Sequence, residues 1–391
     1  MPKYFHSLPS RVNVADGCSA MLGAELKRLG VKKVLLVSDK GVDGAGLLAP
    51  LRQSIEQAGI GIAQYLDVEP NPLVSQARGA EKAYKDAKCD GLVAVGGGSV
   101  MDVAKCVRVM AIHSGDILDY EATKGGLFKI QPAMPSLVCL PTTSGTGSEV
   151  SVAAVVTDEK NHVKKLIVSP FLVPTLALDD PKLTYGLPAF HTASTGMDAL
   201  THAIEAYVSN MPSPLGSACA LEAVKLIGEN LRASVKEPTN ASARFHMMYA
   251  AMLAGVAFTQ NNLGAVHATA HQLSTEFGFA HGMANAIMLT PVMRYNLPSA
   301  TKKYAEVAVA LGAKSGGSDS SLAEEAVEIV TRLRADVGLP GTIREGKGAK
   351  PSDLKRLAAQ AMGDVCHMNN PKPCNPGVME QFFRDAGADA A

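Results

Sequence analysis

The sequence predicts an α/β domain with a parallel sheet over residues 1–185, followed by an all-helical domain over residues 186–391. Three observations predict it. The chain has 391 residues, more than one ordinary core encloses. Up to about Gly186, short apolar runs alternate with helix-period segments, the pattern of βαβ units. Beyond Gly186 only helix-period segments recur.

Taken in order, Lys33–Ser38 (KVLLVS) is apolar and β-branched and reads as a strand. Ala45–Ala58 and Gln76–Ala87 read as helices. Gly91–Val95 (GLVAV) is a short apolar run ending in glycines, Ser136–Leu140 (SLVCL) is another closed by Pro141, and Thr175–Leu178 is a further strand. The second half reads as helices at Thr192–Val208, Ser217–Ser234, Ala241–Phe258, Leu263–Phe277, Tyr304–Leu311, Ser321–Val337 and Pro351–Met362, with a surface loop at Ser315–Ser321. No repeat or low-complexity tract interrupts the chain.

Hydrophobic residues make up 47% and charged residues 19%, which fits a globular protein with much to bury. Lys+Arg and Asp+Glu both total 37, so net charge draws the chain neither to nucleic acid nor to an anionic membrane. Seven cysteines, an odd number without a CxxC pair, argue against a disulfide framework and for a reducing cytoplasm. MPKYFHSLPSRVNV carries no apolar core of a signal peptide. From Phe245 to Thr275 there is no Asp, Glu, Lys or Arg, a length that raises a membrane span. Gln260, Asn261, Asn262, His267, His271 and Gln272 interrupt it, so it reads as buried helix lining a polar site.

LVAVGGGSVMDVAK (92–105) is a strand, a glycine turn and a helix. Glycines allow close backbone approach and a helix N-terminus offers free N–H groups, a combination suited to a pyrophosphate. It can equally be a plain turn into a helix. GGGS is not the GxGxxG fingerprint, and no acidic residue follows about 20 residues on at a strand end. Asp39, ending the upstream VLLVSDKG, can instead bind an adenosine ribose and repel a 2′-phosphate, or simply cap a helix. CLPTTSGTGSEVS (139–151) brings Thr142, Thr143, Ser144 and Thr146 to a second strand end, where hydroxyls can meet phosphate or ribose oxygens.

TGMDALTHAIEAY (195–207) sets Asp198 and His202 four apart, on one helix face, where a carboxylate and an imidazole can chelate a divalent metal. VHATAHQLSTEFGFAHG (266–282) holds three of the ten histidines. Spacing alone selects His267 and His271 as the second chelating pair, with Glu205 and Glu276 as further candidates.

GGGSVMDVAK, PTTSGTGSEVS, GMDALTHAIEAY and GAVHATAHQLSTEFGFAHGMANAIMLTPVMRYN occur in the order found in the iron-containing (group III) alcohol dehydrogenases. The chain resembles that family over nearly its whole length, and within it the lactaldehyde reductase and propanediol dehydrogenase branch. The resemblance implies the dehydroquinate synthase-like fold, with an N-terminal α/β dinucleotide-binding domain and an all-α C-terminal domain. It implies metal ligands at Asp198, His202, His267 and His281, choosing His281 over His271. It implies nucleotide contacts at Asp39, Asn71, Gly97, Gly98, Ser99, Asp102, Thr142, Thr143, Thr146, Lys164 and Leu183. An acidic residue at position 39 goes with NAD rather than NADP. Iron, Fe(II), is the implied metal, with Zn(II) or another divalent ion as the alternative. A homodimer or larger assembly is implied as well.

The implied reaction is hydride transfer between a small alcohol and the nicotinamide, with the metal as Lewis acid. His271 is then available to relay the alcohol proton, or else only orients a ligand. Where some members carry a polar Asn near the nicotinamide, this chain has Ala153, and Phe258 and Cys366 fall at variable pocket positions. Small primary alcohols, 1,2-propanediol, longer chains and hydroxy acids therefore all stay open as substrates. The alternatives on the same fold are a glycerol dehydrogenase, a dehydroquinate synthase and a maleylacetate reductase. The synthase calls for Arg and Lys around its phosphonate-bearing substrate, which residues 245–275 lack. The maleylacetate reductase works without metal, against the full Asp/His set. A catalytically silent nucleotide- or metal-binding protein is the alternative outside enzymes.

Overall fold

The computed structural model describes residues 11–346 and 350–388, so most of the N-terminal stretch read above for a signal peptide lies outside the described residues. The chain divides into two compact units, with the break between Leu187 and Pro188.

Among the described residues, the first unit contains eight strands: β1 (Val12–Val14), β2 (Lys33–Val37), β3 (Gly61–Tyr65), β4 (Gly91–Gly96), β5 (Ser136–Pro141), β6 (Ala153–Asp158), β7 (Val163–Val168) and β8 (Leu176–Asp179). Six form a sheet in the order β1-β8-β5-β4-β2-β3, parallel throughout. Strands covered on both faces need apolar residues at every position, and β2 and β4 supply them. Leu36 and Val34 face a core shared with Leu22 and Leu26 of α1 (Leu22–Arg28) and Leu51 and Ile55 of α3 (Leu48–Gln57). Leu35 and Val37 face the opposite core, with Ala80 and Tyr84 of α4 (Val74–Asp86) and Val103 and Val107 of α5 (Gly98–Met110).

The chain runs from β2 out to β3, then returns to the other side of β2 with β4. That reversal makes a switch point between β2 and β4, whose carboxyl ends are where such sheets bind ligands. Asp39 follows β2 and Gly97 follows β4, while Gly96 pairs in register with Pro141, just ahead of Thr142.

Some elements differ from expectation. The helix expected over Ala45–Ala58 begins only at Leu48 as α3, because Gly46 takes φ +77° ahead of it, and a separate short helix, α2 (Lys40–Gly44), precedes that turn. β6 and β7 form a separate antiparallel hairpin whose tip is closed by Asp158, accepting from Lys160 N at 3.1 Å and Asn161 Nδ2 at 2.7 Å.

The second unit is helical throughout its described residues. Its helices are α6 (Ala189–Val208), α7 (Pro214–Lys236), α8 (Ala241–Asn261), α9 (Ala265–Phe277), α10 (His281–Ala310), α11 (Asp319–Asp336), α12 (Ile343–Gly346), α13 (Leu354–Gly363) and α14 (Pro376–Phe383). The parallel-sheet and all-helical classes are therefore those expected. One buried cluster, including Met197, Leu200, Ile227, Leu273, Ile287, Val330 and Phe383, joins these helices. The uncharged stretch 245–275 covers most of α8 and nearly all of α9, and no helix of the described residues is long and apolar enough to cross a membrane. The expected loop at Ser315–Ser321 is shorter, because Ser318 caps α11 by accepting from Ser321 N at 3.2 Å.

Candidate metal centre and nucleotide loops

In the helical unit, three elements bring the Asp and His residues together. α6 carries Asp198, His202 and Glu205; α9 carries His267 and His271; His281 opens α10. α9 can end and reverse within four residues because Gly278 adopts φ +68°, and Phe279 N bonds back to Leu273 O at 3.4 Å. Phe279 is buried, which holds the turn against the core. Gly282 lets α10 approach α6, since a Cβ there would stand 2.1 Å from Ser194 O.

The result is a convergence on one oxygen. His202 Nε2, His267 Nε2 and His281 Nε2 lie 3.9, 3.9 and 3.7 Å from Asp198 Oδ1. Two ligand atoms each about 2.1 Å from one cation at a tetrahedral angle stand about 3.4 Å apart, so these separations are of the size a shared divalent ion requires. Donor atoms of Asp198, His267 and His281 all lie within 4.8 Å of one another, and His202 stacks on His267 at 4.6 Å. Asp198, His202 and His267 are buried.

The chemistry of the donors fits as well. Glu205 Oε2 is 2.6 Å from His267 Nδ1, and Oε1 accepts from Val266 N at 2.7 Å. A carboxylate accepts only, so Nδ1 carries the proton and Nε2 presents its lone pair to the cluster. Glu205, considered a possible ligand from sequence, thus bonds to a histidine of the cluster. Glu276 engages Arg356 at 2.6 Å and Gln360 at 2.8 Å.

His271 turns another way. Its Nδ1 lies 2.7 Å from Asp364 Oδ2, while its ring stacks on His281 at 5.2 Å. Asp364 Oδ1 accepts from Cys366 N at 2.9 Å. Burial opposes ionisation of Asp364, but the His271 charge and these hydrogen bonds hold its carboxyl below the ordinary value. Burial and the Asp364 charge push the Cys366 thiol up. Phe258 packs against His202 at 4.7 Å. Asp364 is a partner that sequence reasoning missed; it lies 93 residues from His271 and no spacing signals it.

In the α/β unit, the glycine turn is sterically required. A Cβ on Gly96 would stand 2.6 Å from Val100 Cγ2, and one on Gly98 would stand 2.8 Å from Thr146 Cγ2. Gly97 caps α5 with no side-chain bond; Val100 N bonds back to Gly97 O at 3.2 Å, and no cap side chain meets the N–H groups of Gly98 and Ser99. In the adjoining loop, Thr143 Oγ1 and Ser144 Oγ are buried without a hydrogen-bond partner. Orphaned hydroxyls beside a bare helix start fit a phosphate-bearing ligand.

The other sequence-predicted nucleotide residues are placed as follows. Asp39 caps α2, accepting from Val42 N at 2.9 Å through Oδ1. Asp102 Oδ1 accepts from Ser148 Oγ at 2.7 Å and Oδ2 from Val155 N at 3.0 Å, tying α5 to the second loop and the hairpin. Burial pushes the Asp102 carboxyl up against the pull of neighbouring Lys105, whose buried ammonium donates to Ser148, Ser151 and Ala153. Asn71 takes φ +55° ahead of α4, Lys164 pairs with Thr157 in the hairpin, and Leu183 packs into the sheet core.

The model of the iron-containing alcohol dehydrogenases matches residues 9–181, and that of the C-terminal part of the Fe-containing alcohol dehydrogenase family matches 192–387. The chain is 40% identical to a 1,3-propanediol dehydrogenase of Citrobacter freundii over 94% of both chains. It is 35% identical to an NAD-dependent methanol dehydrogenase of Bacillus methanolicus over 97% of this chain and 98% of that one. Among solved structures, a 1,3-propanediol oxidoreductase superposes with a TM-score of 0.95 at 38% identity, covering 98% of this chain and all of the other. The chain belongs to the iron-containing alcohol dehydrogenase family. It is an enzyme, a metal-dependent and NAD-linked alcohol dehydrogenase.

Proposed function

We propose that the chain interconverts small primary alcohols and their aldehydes, with Asp198, His202, His267 and His281 holding a divalent metal, iron before zinc. The observation that carries this reading is the set of three imidazole Nε2 atoms 3.7–3.9 Å from one carboxylate oxygen. When bound, the cation supplies Lewis-acid polarisation of the substrate oxygen and the nicotinamide takes or returns the hydride. The names of the relatives, propanediol and methanol dehydrogenases, support a small primary alcohol.

The chain's own residues prepare that chemistry. Asp198 contributes the single negative charge among four ligands, which leaves the site electrophilic. Glu205 keeps the His267 proton on Nδ1. His271 bonds to Asp364 through Nδ1, and in this reading its ring takes the alcohol's proton and passes it on. Phe258 packs its ring against His202. In the α/β unit, Gly97, Gly98 and Ser99 direct N–H groups at the pyrophosphate, with Thr142, Thr143 and Thr146 adding hydroxyls. Asp39 binds the adenosine ribose hydroxyls and repels a 2′-phosphate. Asn71, Asp102, Lys164 and Leu183 border the same nucleotide.

The cytoplasm is the compartment that suits seven unpaired cysteines. A homodimer or larger assembly is part of the same reading, as the family resemblance implies. A screen of NADH oxidation over small aldehydes, run on metal-reconstituted protein with elemental analysis in parallel, tests the reading. Turnover that requires about one metal per chain supports it; equal turnover after chelation overturns it.

A further inference from the structure

Asn285 lies within the histidine cluster, one turn after His281 on α10, and is fully buried. Its Nδ2 is 2.6 Å from Asp198 Oδ1, 3.1 Å from His267 Nε2 and 3.2 Å from His281 Nε2. Its Oδ1 is buried and has no hydrogen-bond partner. A primary amide has two N–H donors and one acceptor oxygen. Here the donors face three acceptors and the acceptor faces none, so only the cluster holds the amide in this orientation. The opposite orientation would set the amide oxygen against the Asp198 carboxylate.

The three contacts are not equivalent. A cation takes over the single lone pair of each imidazole Nε2. Asp198 has further lone-pair sites and keeps a hydrogen bond while also serving as ligand. Ligating carboxylates are ordinarily held by such a bond from outside the ligand set. The Asn285 bond to Asp198 is 2.6 Å, shorter than the amide's distances to His267 and His281, and its acceptor is a carboxylate.

We propose that Asn285 is a positioning residue for the metal: its amide N–H aims the Asp198 carboxylate at the three imidazoles, as Glu205 aims His267. The inference rests on the proposed ligand set, and the test separates the two. Metal affinity is measured by competitive chelator titration of the full-length protein with Zn(II), together with the melting temperature of the metal-free protein. Asn285→Leu, of similar volume but without the N–H, is expected to weaken Zn(II) binding about 10–100-fold. Asn285→Ser, which restores a donor, recovers part of that loss.

A residue that merely competes with the metal for the three ligand atoms gives the opposite sign, because removing a competitor tightens metal binding. A packing role alone lowers the metal-free melting temperature of Asn285→Leu and leaves the affinity unchanged. Either result overturns the inference. His281→Ala is run alongside. If it loses metal while Asn285→Leu binds as the unaltered chain does, the positioning role fails and the ligand set stands. If His281→Ala keeps its metal, the ligand set itself is wrong.

Discussion

Replacing Glu205 with alanine removes two acceptors at once. Oε2 holds the His267 Nδ1 proton at 2.6 Å and Oε1 holds the Val266 N–H at 2.7 Å, and all three residues are buried. The carboxylate bond to the imidazole is charge-assisted, worth about 1.5–3 kcal/mol. The Val266 N–H, left buried without a partner, costs a further 1–3 kcal/mol by the same general scale. The metal-free protein is therefore expected to lose about 2.5–6 kcal/mol of stability in chemical denaturation. Metal binding should weaken about 10–100-fold, because the His267 tautomer and ring orientation are no longer fixed. Glu205→Gln keeps one acceptor oxygen and should fall between. The assay is competitive metal titration beside denaturation curves. A Glu205→Ala protein that binds metal as tightly as the unaltered chain would refute the orienting role, whatever its stability.

Three further outcomes are expected. Asp39→Gly should raise the NADP-to-NAD ratio of kcat/KM at least about tenfold, or about 1.4 kcal/mol, while losing only a few tenths of a kcal/mol of helix capping at Val42; an unchanged ratio would refute the ribose role. His271→Gln should keep its metal but lose about 100-fold in turnover, with Asp364→Asn losing less; full turnover at every pH would contradict the proton relay. Burial pushes the Glu149 carboxyl up to about 7 from an ordinary 4.5, so the folded chain holds a proton there that the unfolded chain sheds. Folding is then penalised increasingly as pH rises from 4.5 through 7, and Glu149→Gln should raise Tm at pH 8 with little effect at pH 4. Equal shifts at both pH values would refute that account.

The fold class was legible because fully covered parallel strands such as β2 and β4 must be apolar throughout. β3 was not, since it lies at the sheet edge and GIAQY is only partly buried. The β6–β7 hairpin was missed for a similar reason, its second strand being mostly half-exposed around Lys164 and Lys165. The first part of α10 carries Pro291 and Pro298, which break a helix reading although neighbouring helices support it here.

The histidine cluster shows a different limit. Helical spacing relates His267 to His271, and it cannot register the reversal at Gly278 that carries His281 Nε2 to 3.7 Å from Asp198 Oδ1. Nor can it show that His271 bonds to Asp364, that Glu205 bonds to His267 or that Asn285 bonds to Asp198. Those are tertiary contacts, made by the packing of α6, α9 and α10 and by the segment after α13.

The measurement that bears most directly on the central claim is metal content per chain in His281→Ala and His271→Ala, purified and reconstituted identically. The account predicts that His281→Ala loses metal and activity together, while His271→Ala keeps about one metal per chain. Stoichiometric metal in His281→Ala, or its loss from His271→Ala with the fold intact, would contradict it.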